Sequence, residues 1–132
     1  MFNFHHVGYV VDALKPSIKQ FSLLGYESSK EYIDDIQNIK IIILEKANSP
    51  LIELILPIAK SNPLNRFLRD GHTPSPYHIA YTVPSIEKSS DYLRSNGFIA
   101  TMKIAPSVAF DNQPYTFFYS RPTGLIEIIE GL

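Results

Sequence analysis

The hydrophobic and polar positions of the chain fall into one pattern that occurs twice. Each half opens with a run rich in β-branched and aromatic residues that holds a histidine, at 4–11 and 77–83, and reads as a strand. A helix follows. In the second half Ser85 is its expected N-cap, with Lys88 where a capping box would place an acid. In the first half Asp12 or the Lys15-Pro16 stretch opens the helix, since proline is tolerated in a first turn. Gly25 and Gly97 come next, as C-terminal caps of positive φ would. Three short strands complete each half, at 26–32, 39–44 and 51–56, and at 98–104, 115–119 and 125–129. Each half is therefore expected to be a β-α-β-β-β module.

A shift of 72 residues lays one half on the other without a gap. His6 then meets His78, Tyr9 meets Tyr81, Val11 meets Val83 and Gly25 meets Gly97. Apolar character is kept at Val7 and Ile79, Leu14 and Ile86, and Phe21 and Leu93. The segment between the halves is rich in proline and serine and reads as a linker, with a short helix expected at 63–69, ending before Gly71. We expect one α+β domain over 1–132: module one at 1–57, a linker at 58–76 and module two at 77–132.

Composition narrows the function. An apolar fraction of 45% is ordinary for a globular chain of 132 residues. A formal net charge of −1 gives no basic footprint for nucleic acid or an anionic membrane. There are no cysteines, so a metal would be held by His, Asp or Glu. The opening MFNFHHVGYVVDALK lacks the basic start and apolar run of a signal peptide, and no run approaches the roughly 20 apolar residues of a membrane span. A soluble, cytoplasmic protein is expected.

The candidate chemistry lies in the first and last strands of each half. Glu53 sits in LIELIL and Glu127 in LIEIIE, each a carboxylate inside an apolar run. Such a group, if buried without a partner, costs several kcal/mol. A lone case reads as a solvated face of a half-exposed strand. Two cases at equivalent places, each with an equivalent histidine, read differently. His6 precedes Glu53 by 47 residues and His78 precedes Glu127 by 49. Two related modules facing across a pseudo-twofold would bring two imidazoles and two carboxylates together. That donor set suits Zn, Ni, Co, Mn or Fe better than Ca or Mg. His5 should point away from His6 across its strand. His72 follows Gly71 in the linker and reads as surface, as do Asp34, Asp35 and Glu45 as turn or surface residues. Lys60, Arg66 and Arg69 read as a solvated linker face that could hold an anionic substrate tail. Nucleophile-elbow, P-loop and dinucleotide motifs are missing.

The tracts HVGYVV at His6, ELILP at Glu53, YHIAYTV at His78 and LIEIIE at Glu127 resemble the ligand motifs of the vicinal oxygen chelate superfamily. Glyoxalase I, methylmalonyl-CoA epimerase, extradiol dioxygenases and the fosfomycin and bleomycin resistance proteins belong to it. The resemblance covers nearly the whole chain. It is nearest to the epimerase-like branch, whose linker SPLIELILP and NPLNRFL before YHIAY resembles in order and length. It implies modules that curl as an open mixed sheet round a cavity holding one divalent metal ion. The ligands it implies are His6, Glu53, His78 and Glu127, with Glu127 also able to leave the metal and serve as a base. Two departures stand out. Epimerases often have Gln at the second ligand position, whereas this chain has Glu53, as the resemblance to glyoxalase I implies. Ile41 falls where epimerases carry a separate catalytic Glu, and the stretch from Ala105 has no evident phosphate-binding signature for CoA.

The expectation is a metal-dependent isomerase, epimerase or lyase acting through an enolate on a small carbonyl or CoA-thioester substrate. One alternative is a non-catalytic small-molecule binding or resistance protein of the same fold, another a ring-cleaving dioxygenase. Exposed sheet edges favour a homodimer.

Overall fold

The computed structural model describes residues 1–68 and 74–131. The chain forms two compact units, His6–Tyr77 and Met1–His5 with the chain from His78 onward. Each follows the expected β-α-β-β-β plan, with the strand after the helix divided in two.

In the first unit, β1 (Asn3–Val10) continues from His6 and is followed by α1 (Leu14–Leu23), β2 (Glu27–Ser28), β3 (Tyr32–Asp34), β4 (Ile39–Glu45) and β5 (Leu51–Pro57). Their open mixed sheet runs β2-β4-β5-β1, with β3 also on β4. β1 lies parallel to β5, while β4 is antiparallel to β5. Leu14, Ile18 and Phe21 recur at helical spacing and pack on Val11, Ile42, Leu44 and Leu54.

The second unit repeats the plan with β6 (Ser75–Val83), α2 (Ile86–Ser95), β7 (Ile99–Ala100), β8 (Ala105–Ser107), β9 (Gln113–Ser120) and β10 (Gly124–Glu130). Its sheet runs β6-β10-β9-β7, with β8 on β9 and β6 parallel to β10. Ile86 and Leu93 of α2 pack on Val83, Phe118 and Ile128. In both units the helix therefore covers one face of the sheet. By the two-residue alternation of a strand, the histidine and glutamate lie on the other.

The helix ends repeat in detail. Tyr26 N–H donates to the Phe21 carbonyl and Gly25 N–H to that of Ser22; Phe98 and Gly97 do the same to Leu93 and Arg94. These are paired Schellman closures, with Gly25 at φ 97° and Gly97 at φ 90° as expected. At the other end, Ser85 Oγ accepts from Lys88 N–H at 3.3 Å. The acid that a capping box would supply from within the helix comes instead from Glu130, whose Oε1 accepts from Ile86 N–H at 3.0 Å. Of the two openings expected for α1, the structure has the one at Lys15-Pro16: Pro16 lies in the first turn, and the N-cap is Ala13, which makes no side-chain cap, rather than Asp12.

Each strand expected after a helix is in fact two. Ser29 separates β2 from β3, and its Oγ accepts the Ile43 N–H at 2.9 Å, taking a ladder donor from the backbone. Thr101, 72 residues on, follows β7 and donates its N–H to the Phe117 carbonyl. A 3-10 helix at Pro63–Phe67 replaces the helix expected at 63–69, and Arg69 lies outside the described residues. Asn62 caps it through Oδ1 and donates through Nδ2 to the carbonyls of Gln37 and Asn38. The first five residues group with the second unit for a visible reason. Phe2 and Phe4 meet the ring of Tyr81 edge-on, at 6.4 and 5.9 Å.

Candidate functional site

Strand register explains how histidine and glutamate come to meet within each unit. On β1 and β5, His6 stands opposite Leu51 and Gly8 opposite Glu53. His6 and Glu53 are thus diagonal neighbours on one face. On β6 and β10, His78 stands opposite Leu125 and Ala80 opposite Glu127, the same diagonal. The residue directly beside each carboxylate is the smallest available, Gly8 or Ala80, which leaves the imidazole clear to reach across.

Both pairs close. His6 Nε2 lies 3.4 Å from Glu53 Oε1, with side chains 0% and 7% exposed. His78 Nε2 lies 3.0 Å from Glu127 Oε1, at 0% and 5%. Isolated carboxylates at such depth would be costly, and the imidazole partners offset part of that cost.

The surroundings differ between the pairs. Glu53 faces Ile43 across β4, with Ile41 opposite the next residue on that face, Ile55. Ile41, Ile43 and Ile55 are buried, so this wall is aliphatic. Glu127 faces Phe117 across β9, with Tyr115 opposite Ile129. The Phe117 ring meets the His78 ring edge-on at 4.9 Å, and Tyr115 meets Phe117 at 6.0 Å, so the second wall is aromatic.

A family model described as the glyoxalase/bleomycin resistance protein/dioxygenase superfamily matches residues 5–117. The chain belongs to this superfamily. The fold of the superfamily recurs in solved structures. Methylmalonyl-CoA epimerase from Mycobacterium tuberculosis superposes with a TM-score of 0.85 at 27% identity, over 98% of this chain and 88% of that one. A hypothetical protein from Bacillus halodurans gives 0.85 at 23% identity, over 99% and 95%. The Streptomyces coelicolor methylmalonyl-CoA epimerase in complex with 2-nitronate-propionyl-CoA gives 0.78 at 15%, over 98% and 96%. No curated protein sequence matches the chain significantly.

For a member of this superfamily the donor chemistry fits a metal. Each of His6, Glu53, His78 and Glu127 is buried and offers one ligand atom, and such a set could hold an ion. The other candidates fall elsewhere. His5 is half-buried with its ring 4.8 Å from that of Phe110. Asp34, expected in a turn or on the surface, is instead the buried last residue of β3; its Oδ1 accepts the N–H groups of Ile36 and Gln37 in the turn that follows. Asp35, Glu45, Lys60 and Arg66 are exposed. His72 and Arg69 lie outside the described residues. Tyr115 and Phe117 were not singled out from sequence, because their place beside Glu127 depends on strand pairing that periodicity alone does not give.

No helix among the described residues is long and apolar enough to cross a membrane.

Proposed function

We propose that this superfamily member is a metal-dependent isomerase, epimerase or lyase that forms an enolate from a small carbonyl or CoA-thioester substrate. The observation that carries the proposal is the duplicated, buried His–Glu pair at one register in both units. His6, Glu53, His78 and Glu127 together would hold one divalent ion, of Zn, Ni, Co, Mn or Fe. When bound, that ion would act as a Lewis acid on a substrate carbonyl. Glu127 is the base: its carboxylate takes the proton beside the carbonyl, and His78 fixes its orientation from 3.0 Å. The buried apolar residues beside both pairs keep water out, which strengthens every charge interaction there. The aliphatic wall with Ile41 offers no second carboxylate, so the chemistry rests on one carboxylate base. We place the protein in the cytoplasm as a homodimer.

The test begins with protein purified without chelator. We expect about one equivalent of divalent metal per chain, lost in His6→Ala and Glu127→Ala. Solvent deuterium should then enter methylmalonyl-CoA or the hemithioacetal of methylglyoxal and glutathione in the metal-loaded protein. A metal-free protein whose variants bind added metal as the parent does would overturn the reading. Ligand-induced stabilisation insensitive to chelator would point to a binding protein instead. Oxygen uptake with catechols after iron loading would point to a dioxygenase.

A further inference from the structure

The two units place different residues at one structural position. Count from each glutamate to the antiparallel neighbour, then one step along the same face. In the first unit this leads from Glu53, past the row of Ile55, to Ile41. In the second it leads from Glu127, past the row of Ile129, to Tyr115. A phenol thus stands where the other unit has a butyl side chain.

The neighbours have adjusted to this. The strand beyond β9 sets Ala105 opposite Tyr115, while the strand beyond β4 sets Tyr32 opposite Ile41. The large and small residues are exchanged between the two rows, so Tyr115 gains room in the second unit. Tyr115 is 2% exposed, whereas Tyr119 on the same strand and face is 42% exposed. Tyr115 is thus buried one row from a carboxylate, and its hydroxyl adds to the ring a group that can give up a proton. Diagonal neighbours across an antiparallel pair lie about 7–8 Å apart at the backbone, within reach of a side chain as long as tyrosine.

We infer that Tyr115 is the second proton-transfer group of the site, a catalytic residue paired with Glu127. The inference rests on the enolate reading above. In a substrate with a hydroxyl on the carbon beside the carbonyl, Glu127 removes the proton on that carbon; the C–H electron pair becomes the enolate double bond, and the carbonyl pair moves to oxygen. The hydroxyl proton passes to that oxygen, Tyr115 gives its phenolic proton to the former carbonyl carbon, and the new carbonyl forms at the carbon that lost its proton. The phenolate regains a proton from the Glu127 carboxylic acid, its diagonal neighbour, and both groups return to their starting states. Base and acid stand on one wall, so the proton moves between adjacent carbons on a single face of the substrate.

The experiment compares the metal-loaded parent with Tyr115→Phe and Glu127→Gln, using the methylglyoxal–glutathione hemithioacetal in deuterium oxide. Tyr115→Phe should bind the same amount of metal and still exchange deuterium into recovered substrate. Its product formation should fall by about 10²–10⁴-fold, the usual contribution of a positioned acid. Glu127→Gln should lose both exchange and product. Separately from turnover, acetohydroxamate is a bidentate oxyanion whose binding can be read from the visible spectrum of the cobalt-loaded protein. It should bind Tyr115→Phe tenfold or more weakly, as expected for a lost hydrogen bond to a charged ligand. If Tyr115→Phe matches the parent in both product partition and hydroxamate affinity, the assignment of Tyr115 is wrong while the metal reading stands. A parent protein that binds neither metal nor hydroxamate would remove the metal reading and this inference together.

Discussion

Replacing both members of the second pair, as His78→Leu with Glu127→Leu, should leave the metal-free protein about as stable as the parent or more so. Either single replacement should weaken it. The reason lies in the burial of the two side chains, 0% and 5% exposed and 3.0 Å apart. Removing His78 alone strands a carboxylate among Ala80, Phe117 and Ile129, all nearly buried. Breaking a buried pair in this way costs about 3–5 kcal/mol. Removing Glu127 alone leaves a buried imidazole with one partner fewer, for about 1–3 kcal/mol. Two leucines of similar bulk would remove both penalties, and such replacements are neutral or stabilising by about 1–4 kcal/mol. The pair would then show a coupling energy of several kcal/mol rather than additivity. The assay is urea denaturation of the four proteins in excess chelator, with equal m-values as the check on two-state behaviour. Added zinc completes it. At a free concentration of 100 times Kd the parent should gain about 2.7 kcal/mol, and the double variant should gain almost nothing. A double variant destabilised by the sum of the two singles would refute the reasoning, because the pair would then be contributing stability rather than function.

Two further predictions concern the helix ends. Glu130→Ala should cost about 1 kcal/mol through loss of the bond to Ile86 N–H, and a thermal melt should show the midpoint a few degrees lower. Gly97→Ala should cost about 1–2 kcal/mol from its positive φ alone, since an added Cβ would meet nothing within 4 Å; denaturant unfolding checks it, and an unchanged midpoint would contradict it.

The repeat was legible in sequence because it was written in residue types that act locally. Gly25 and Gly97 mark helix ends through backbone freedom, and Glu53 and Glu127 stand out against apolar neighbours. The histidines stood out only through their equivalence, and the structure gives each a glutamate in its own unit. What was not legible depends on partners distant along the chain. Lys88 suggested a weak cap, yet Glu130, far along the sequence, completes it. The break at Ser29 depends on a hydroxyl competing for the Ile43 N–H, which the alternation of polar and apolar residues does not signal. Asp34 has the composition of a surface turn and is buried by its surroundings. Tyr115 became visible only once β9 was paired with β10 and the row of Ile129 could be read.

The grouping of the first five residues with the second unit bears on how the chain is made. Synthesis proceeds from the N-terminus at about 5–20 residues per second. Phe2 and Phe4 are made long before Tyr81, on which their rings settle, and the ring against His5 belongs to Phe110. The first unit, which begins at His6, can therefore close while residues 2–5 still wait for the partners that the second unit supplies. One strand, β1, is thus completed in two instalments, separated by the time it takes to make about seventy further residues.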